Sequence, residues 1–213
     1  MYLLNISEIF YSIQGETSFT GLPCIFIRFT GCNLRCSYCD TQYAYEKGEE
    51  LDLDIILKII KNYSPVKLVT ITGGEPLLQD NVYKLFDKLL QKKYTVLLET
   101  NGSVALHKVP KRVIKILDIK TPGSGMTERM IWNNLSLLNE QDEIKFVIKD
   151  RDDFAWALEI IEKFDLEKHK ILFSPVYRKL EVKKLAEWIK VSKKPIRLQI
   201  QLQKYIWGKK KGV

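Results

Sequence analysis

The sequence predicts an α/β fold, a partial (β/α) barrel of parallel strands with helices outside, as one domain over residues 1–213. Three observations predict it. Apolar, β-rich runs alternate with amphipathic segments almost throughout the chain. The stretches that carry chemistry stand at or just after the ends of successive strands, the face on which parallel barrels build their sites. Finally, 213 residues fall short of the roughly 250 that a closed eight-stranded barrel usually takes.

Taken in order, Leu3 to Phe10 reads as a strand, followed by a polar loop from Tyr11 to Thr17. Pro23 to Thr30 is an apolar strand whose single charge, Arg28, needs a partner if buried: a carboxylate such as Glu16, or an anionic ligand. A cysteine loop covers residues 31–42. Asp52 is placed to cap a helix in which Leu53, Ile56, Leu57 and Ile60 share one face. Lys67 to Thr72 is a strand that ends in Gly73-Gly74-Glu75-Pro76, and Val82 to Leu90 is helical. Strands are predicted at Thr95 to Thr100, ending in Asn101-Gly102, and at Val113 to Ile119, ending in Asp118-Ile119-Lys120. A helix near Glu128 to Leu138, a strand at Glu143 to Ile148 and a helix bearing Phe154, Ala157, Leu158 and Ile161 follow. Strand Ile171 to Ser174, helix Val182 to Ile189 and strand Ile196 to Leu202 complete the alternation.

Composition narrows the function classes. No run approaches the roughly 18 apolar residues of a membrane span. With no apolar secretory segment at the N-terminus, and cysteines spaced for metal rather than disulfides, a cytoplasmic setting is expected. The net charge of +8 is spread through helical segments, and Lys209-Lys210-Lys211 is the single lysine run. That distribution reads as a solvated surface, so no direct nucleic-acid partner is expected.

Three of the four cysteines form a C-x3-C-x2-C array, Cys32, Cys36 and Cys39. A four-iron four-sulfur (4Fe-4S) cluster held by three thiolates keeps one iron open. S-adenosylmethionine (SAM) can chelate that iron through its amino and carboxylate groups. A structural zinc site would need four ligands. Beyond the triplet the chain has only Cys24, His107 and His169, none at finger spacing, and Cys24 lies in a strand where it reads as a small core residue. The triplet, with Tyr38 just before its last cysteine, resembles the radical SAM superfamily, whose partial barrel fits the predicted fold. Gly73-Gly74 would then let the backbone approach the amino end of methionine, although a plain strand-to-helix turn uses the same residues.

A narrower resemblance rests on a combination of motifs. Ser12-Ile13-Gln14-Gly15-Glu16, Arg28, the triplet with Cys39-Asp40-Thr41, Thr72-Gly73-Gly74-Glu75-Pro76, Glu99-Thr100-Asn101-Gly102 and Tyr205-Ile206-Trp207-Gly208 together resemble the 7-carboxy-7-deazaguanine synthase family. The resemblance implies a lyase that converts 6-carboxy-5,6,7,8-tetrahydropterin to 7-carboxy-7-deazaguanine with loss of ammonia, on the route to queuosine and archaeosine. It implies a 4Fe-4S cluster, SAM and Mg²⁺ as cofactors, a flavodoxin- or ferredoxin-like electron donor, and a homodimer. By the same resemblance Arg28 and Glu16 are catalytic, with Arg28 on the substrate carboxylate. Ile13, Gln14, Gly15, Glu16, Thr72, Gln203 and the terminal carboxylate of Val213 would hold the pterin. Tyr38, Cys39, Asp40, Gly74, Glu75, Thr100, Ser103, Asp118, Ile119 and Lys120 match SAM-contacting positions, and Thr41 matches the magnesium ligand. Gln203 stands where the family commonly has histidine, and Asp118-Ile119 where it often has Ser-Pro.

Two rivals make different demands. A glycyl-radical activating enzyme shares the triplet and the small barrel but lacks the Gln-Gly-Glu loop with Arg28. A zinc-bearing RNA-binding module needs aromatics interleaved with exposed basic residues. In this chain the aromatics fall mostly in apolar runs.

Overall fold

The computed structural model describes residues 2–208, 210, 212 and 213, so Lys209 and Lys211 of the lysine run lie outside the described residues. Its frame is a nine-stranded sheet in the order β3-β1-β2-β4-β5-β6-β7-β8-β9. The strands are β1 Leu3–Ile13, β2 Pro23–Phe29, β3 Glu49–Asp52, β4 Leu68–Gly73, β5 Thr95–Thr100, β6 Ile114–Ile119, β7 Glu143–Ile148, β8 Lys170–Pro175 and β9 Ile196–Leu198. From β2 onward all neighbours pair parallel. The sheet does not close, since β3 and β9 are its two edges. This is the partial barrel that the strand and helix alternation predicts.

Helices α1 Leu53–Lys61, α2 Val82–Gln91, α3 Arg151–Lys163 and α4 Val182–Ser192 pack on the outer face, with a short α5 Leu202–Trp207 near the C-terminus. Asp52 caps α1 as expected, its side chain accepting from the Asp54 N–H at 3.0 Å. Asp150 does the same for α3 through the Asp153 N–H. Outward strand residues such as Ile25, Ile27, Phe29, Val69, Ile71, Phe146 and Phe173 meet Ile56, Ile60, Leu85, Phe86, Phe154 and Leu185 from the helices in the main core.

The opposite face follows from the two-residue side-chain period of a strand. Cys24, Phe26 and Arg28 point inward from β2; Leu68, Thr70 and Thr72 do so from β4, Leu97 and Glu99 from β5, and Ile116 and Asp118 from β6. Each series is apolar where its strand begins and polar where it ends. Cys24, Phe26, Leu68, Leu97 and Ile116 form a second apolar cluster that plugs the barrel floor. Cys24 is thus a core residue, its thiol pushed up to about 12 by burial. The polar ends stand above this floor.

Three expectations are corrected, and one strand is added. The first strand continues to Ile13 and pairs antiparallel with β2 and β3, so the sheet is not wholly parallel. Strand β3, charged and at the edge, has no apolar alternation to reveal it. The segment near Glu128 to Leu138 forms two 3-10 turns, Thr127–Arg129 and Trp132–Leu137, instead of a helix. Buried Asn134 explains this: its amide bonds Leu106 N–H and the carbonyls of Gly102 and Val104, binding the segment sideways to another loop. The last strand ends at Leu198, after which the chain leaves the sheet and Leu202 begins α5.

Two features fix the strand ends that carry the site. Gly74 packs so closely that a Cβ there would lie 1.9 Å from the Gly31 carbonyl oxygen, and Gly73 adopts φ +141°. The double glycine is therefore needed first for one strand end to meet another. Glu75 is fully buried and ties β4 to β5, accepting from the Asn101 N–H at 2.7 Å, the Leu77 N–H at 3.1 Å and the Thr100 hydroxyl at 3.0 Å.

Burial nonetheless pushes Glu75 up to about 7, because desolvation outweighs those donors. The native protein then holds a proton that the unfolded chain releases near the ordinary glutamate value of 4.5. The stability from this group is full below that value and is lost as pH rises through about 7. Thermal melts from pH 4.5 to 8 should show this decline, and Glu75→Gln should remove it; parallel curves would contradict the assignment. On the floor side, Lys115 and Asp142 pair at 2.8 Å with side chains 3% and 0% exposed. Asp142→Ala strands a buried ammonium and should cost about 3–5 kcal/mol in denaturant unfolding.

Candidate active site

Above the apolar floor the strand ends enclose a cavity of about 700 Å³. Its walls come from the β1–β2 turn, the cysteine loop, the ends of β4 to β8 and the C-terminal segment.

The cysteine loop is pinned on both sides. Ser37 and Tyr38 bind the loop after β6: the Ser37 hydroxyl donates to the Gly123 carbonyl at 2.7 Å, and the Tyr38 hydroxyl lies 3.2 Å from Thr121 Oγ1 and from the Val147 carbonyl. Burial pushes the Tyr38 phenol up to about 12, so it remains a neutral donor. On the other side Asn33 bonds Ser103 at 2.8 Å and Asn101 at 3.3 Å. Between these anchors Cys32, Cys36 and Cys39 carry free thiols, all half-buried and all lining the cavity. The Cys32 sulfur has the Leu34 N–H at 3.4 Å and the Asn101 amide at 3.7 Å as donors. Three thiols on one loop and one cavity wall, near enough for Cys32 and Cys39 to act on Cys36, are the donor set of a three-thiolate cluster loop, although among the described residues they are not drawn together as a metal-holding group. Burial raises the Cys36 thiol, which Lys120 counters.

Facing the loop, Lys120 pairs with Asp118 at 2.9 Å, and its pKa is raised because Asp118 and Cys36 outweigh the cost of burial. Thr41 donates to Asp40 at 3.0 Å. Asp40 meets Lys204 at 2.5 Å, and this ammonium holds it well below the usual carboxylate range although partial burial opposes its charge. Both Thr41 and Asp40 line the cavity.

The other half of the cavity is built on the β1–β2 turn. The Gln14 amide donates to Thr70 at 2.8 Å, and its carbonyl accepts from the Glu16 N–H at 3.0 Å, which fixes the turn from below. A Cβ on Gly15 would lie 1.7 Å from Gln203 Oε1, so the turn is glycine because the C-terminal segment lies on it. Arg28 pairs with Glu8, its neighbour across the β1–β2 ladder, at 2.6 Å. This corrects the Glu16 alternative. The pair uses only Nε, and among the described residues the Arg28 Nη groups donate to nothing else. Glu16 instead pairs with Lys145 and accepts from Gln201 at 2.9 Å; these partners lower its pKa against the effect of burial.

Of the residues singled out from sequence, Ile13, Gln14, Gly15, Glu16, Arg28, Thr72, Gly74, Thr100, Gln203 and Val213 line this cavity along with the loop residues above. Three do not. Glu75 is buried behind the wall, Ile119 faces the outer core, and Ser103 braces Asn33 and Asn101. The sequence reading gave no role to Lys145, Gln201 or Lys204, and took Glu99 only as part of the Glu99-Thr100-Asn101-Gly102 motif. Glu99 lines the cavity, accepts from the Thr72 hydroxyl at 2.8 Å and makes no ion pair among the described residues. Burial, then Glu16, push its pKa up. A period-two reading of β5 and β7 could have found it and Lys145, since a strand covered on both faces carries polar residues inward only at a site.

The Radical SAM superfamily model matches residues 26–189. The 7-carboxy-7-deazaguanine synthase of Chlorobaculum tepidum is 45% identical over 209 residues, covering 96% of this chain and 94% of the relative. That of Koribacter versatilis is 40% identical over 219 residues, covering 96% and 97%. The crystal structure of QueE from Escherichia coli matches with a TM-score of 0.78 over 95% of each chain, at 24% identity, a likeness of fold. Identity at this level along nearly whole chains, joined to a sheet whose polar ends gather the cysteine triplet into one cavity, makes this chain a member of the radical SAM superfamily and, within it, of the 7-carboxy-7-deazaguanine synthase family.

Proposed function

We propose that the chain converts 6-carboxy-5,6,7,8-tetrahydropterin to 7-carboxy-7-deazaguanine with release of ammonia, as a single-domain enzyme over residues 1–213. One observation carries this: a single cavity has the cysteine triplet on one wall and, on the other, an arginine fork with carboxylates recessed beside it. The first wall suits SAM and a cluster; the second suits a carboxylate-bearing, N–H-rich heterocycle.

Cys32, Cys36 and Cys39 would hold the cluster, which with SAM supplies a 5′-deoxyadenosyl radical. Gly74 exposes backbone on the same wall, and Tyr38, Asp40, Thr100, Asp118 and Lys120 border the SAM side. The free Nη edge of Arg28 is oriented to take the substrate carboxylate in a fork. Glu99 and Glu16 offer acceptors to the amino and ring N–H groups of the pterin, and Gln14 keeps the turn that presents Glu16 in register. Thr72 spends its hydroxyl on Glu99 and so directs that carboxylate. Ile13, Gly15, Gln203 and Val213 close the cavity around the ring. The Thr41 hydroxyl suits Mg²⁺, a hard ion that keeps most of its shell for water and substrate oxygens. Holding the two reactants in one enclosed space supplies orientation and excludes water.

The cluster must be reduced from outside, so a flavodoxin- or ferredoxin-like donor is proposed. A homodimer in the cytoplasm completes the reading; no helix among the described residues is long and apolar enough to cross a membrane.

The test is an anaerobic assay of cluster-reconstituted protein with SAM, dithionite, Mg²⁺ and the pterin, read by mass spectrometry. The expected outcome is 7-carboxy-7-deazaguanine, lost in Cys36→Ala along with the brown cluster absorbance. SAM cleavage without this product would keep the radical machinery and reject the substrate. Arg28→Ala should raise the KM for the pterin by about 10- to 100-fold, the worth of a charged hydrogen bond, with SAM binding unchanged.

A further inference from the structure

Lys145 belongs to no motif, yet it lines the cavity and its ammonium reaches the β1–β2 turn. It stands inward on β7, with Asp118 as its neighbour across the ladder. Asp118 is already paired with Lys120, and Lys145 reaches instead across the barrel to Glu16 on the β1–β2 turn. Lys145 and Glu16 side chains are 13% and 11% exposed, so the pair is largely withdrawn from water. Burial works against the Lys145 charge, but Glu16, Asp118 and Glu99 outweigh it and raise its pKa.

Glu16 and Lys145 both act on Glu99. The Glu16 charge is among the causes that raise Glu99, while Lys145 lowers it. The other groups facing the two carboxylates are Arg28 on β2, Thr72 on β4, Asp118 with Lys120 on β6, Asp40 on the cysteine loop, and Gln201, Gln203 and Lys204 in the C-terminal segment. Arg28 gives its Nε to Glu8 and, in the pterin reading, its Nη edge to the substrate carboxylate, while Lys120 pairs with Asp118 and Lys204 with Asp40. Lys145 is thus the cation that is paired with Glu16 and also acts on Glu99. A pterin ring is neutral and brings N–H donors without a balancing charge. Two carboxylates closing on it without a cation would share a proton, and one acceptor would become a donor.

We infer that Lys145 is a positioning residue for the substrate: it anchors Glu16 across the barrel and keeps Glu16 and Glu99 together as acceptors for the N–H edge of the ring. The inference rests on the pterin reading above.

The experiment measures anaerobic binding to holoenzyme with its cluster oxidised, so that no turnover occurs. Calorimetry gives the Kd of 6-carboxy-5,6,7,8-tetrahydropterin with SAM present, and separately the Kd of SAM. Lys145→Met should weaken pterin binding at least tenfold at pH 7 and leave SAM binding within twofold. The deficit should shrink at least threefold by pH 9, as the shared proton leaves, and Lys145→Arg should restore most of the affinity. A purely structural role would move neither the pH dependence nor the split between ligands.

Should Lys145→Met fail to load its cluster, the double variant Glu16→Gln/Lys145→Met removes both charges together. Its pterin affinity should equal that of Glu16→Gln alone; a further tenfold loss would mean that Lys145 touches the ligand and overturn the positioning role. Unchanged pterin affinity in Lys145→Met, or equal losses for pterin and SAM without recovery at high pH, would also overturn it. Wild-type protein that binds SAM but no pterin would reject the substrate reading itself, and this inference with it.

Discussion

A Cβ on Gly74 would meet the Gly31 carbonyl oxygen at 1.9 Å, and one on Gly73 would meet that of Phe29 at 2.3 Å. The ends of β2 and β4 therefore touch backbone to backbone, joined by the Gly74 N–H to Phe29 and the Glu75 N–H to Gly31 bonds. The loop that follows β2 has to leave the sheet from this contact. Glu75, one residue on, passes the constraint to β5 through Asn101 and Thr100, and Asn101 returns it to Asn33 inside the cysteine loop. A circuit of short hydrogen bonds thus fixes three strand ends and the cysteines together. Any side chain at Gly74 would open it, which is why a two-glycine turn carries more structural weight here than its conformational freedom alone explains.

The inner face of the sheet grades from apolar to charged along each strand. That gradient creates the site and also makes it costly. A buried ion pair at best breaks even against its desolvation, so Arg28 with Glu8, Lys120 with Asp118 and Lys145 with Glu16 are not there to stabilise the barrel. Stability comes from the outer face, where Ile and Phe side chains meet the helices. The division lets the interior hold charges at fixed points without supporting the fold, and fixed charges need little reorganisation when a ligand arrives.

Sequence made most of this frame legible, because hydrophobic period and caps are local. Thr95–Thr100 and Glu143–Ile148 have the predicted bounds, and Asp52 caps α1. What it concealed was register and long-range packing. Arg28 finds Glu8 because β1 runs on as a strand antiparallel to β2, with an irregularity between Ile6 and Glu8 that composition cannot reveal. The 3-10 turns after Thr127 follow from one asparagine reaching a loop about thirty residues away. Among the site residues, the cysteines and Arg28 stood out by spacing or isolation, Glu99 stood in a motif without a role of its own, and Lys145 looked like an ordinary strand polar residue. Their meaning depends on knowing that both faces of the sheet are covered.

The C-terminal segment completes the site by packing on its oldest turn in chain order. The Leu202 N–H bonds the Gly15 carbonyl at 3.1 Å, Gln199 approaches the same oxygen at 3.4 Å, and Gln203 lies over the glycine itself. From here Gln201 donates to Glu16 at 2.9 Å and to Asp40 at 3.2 Å, linking the β1–β2 turn to the loop beside the cysteines. One amide therefore senses both halves of the cavity. Gln203 Oε1, by contrast, is buried with no hydrogen-bond partner among the described residues. An orphaned carbonyl of this kind costs about 1–3 kcal/mol, and the close packing of Gln203 over Gly15 holds it in place, so the turn and the C-terminal segment are joined at the expense of one polar group.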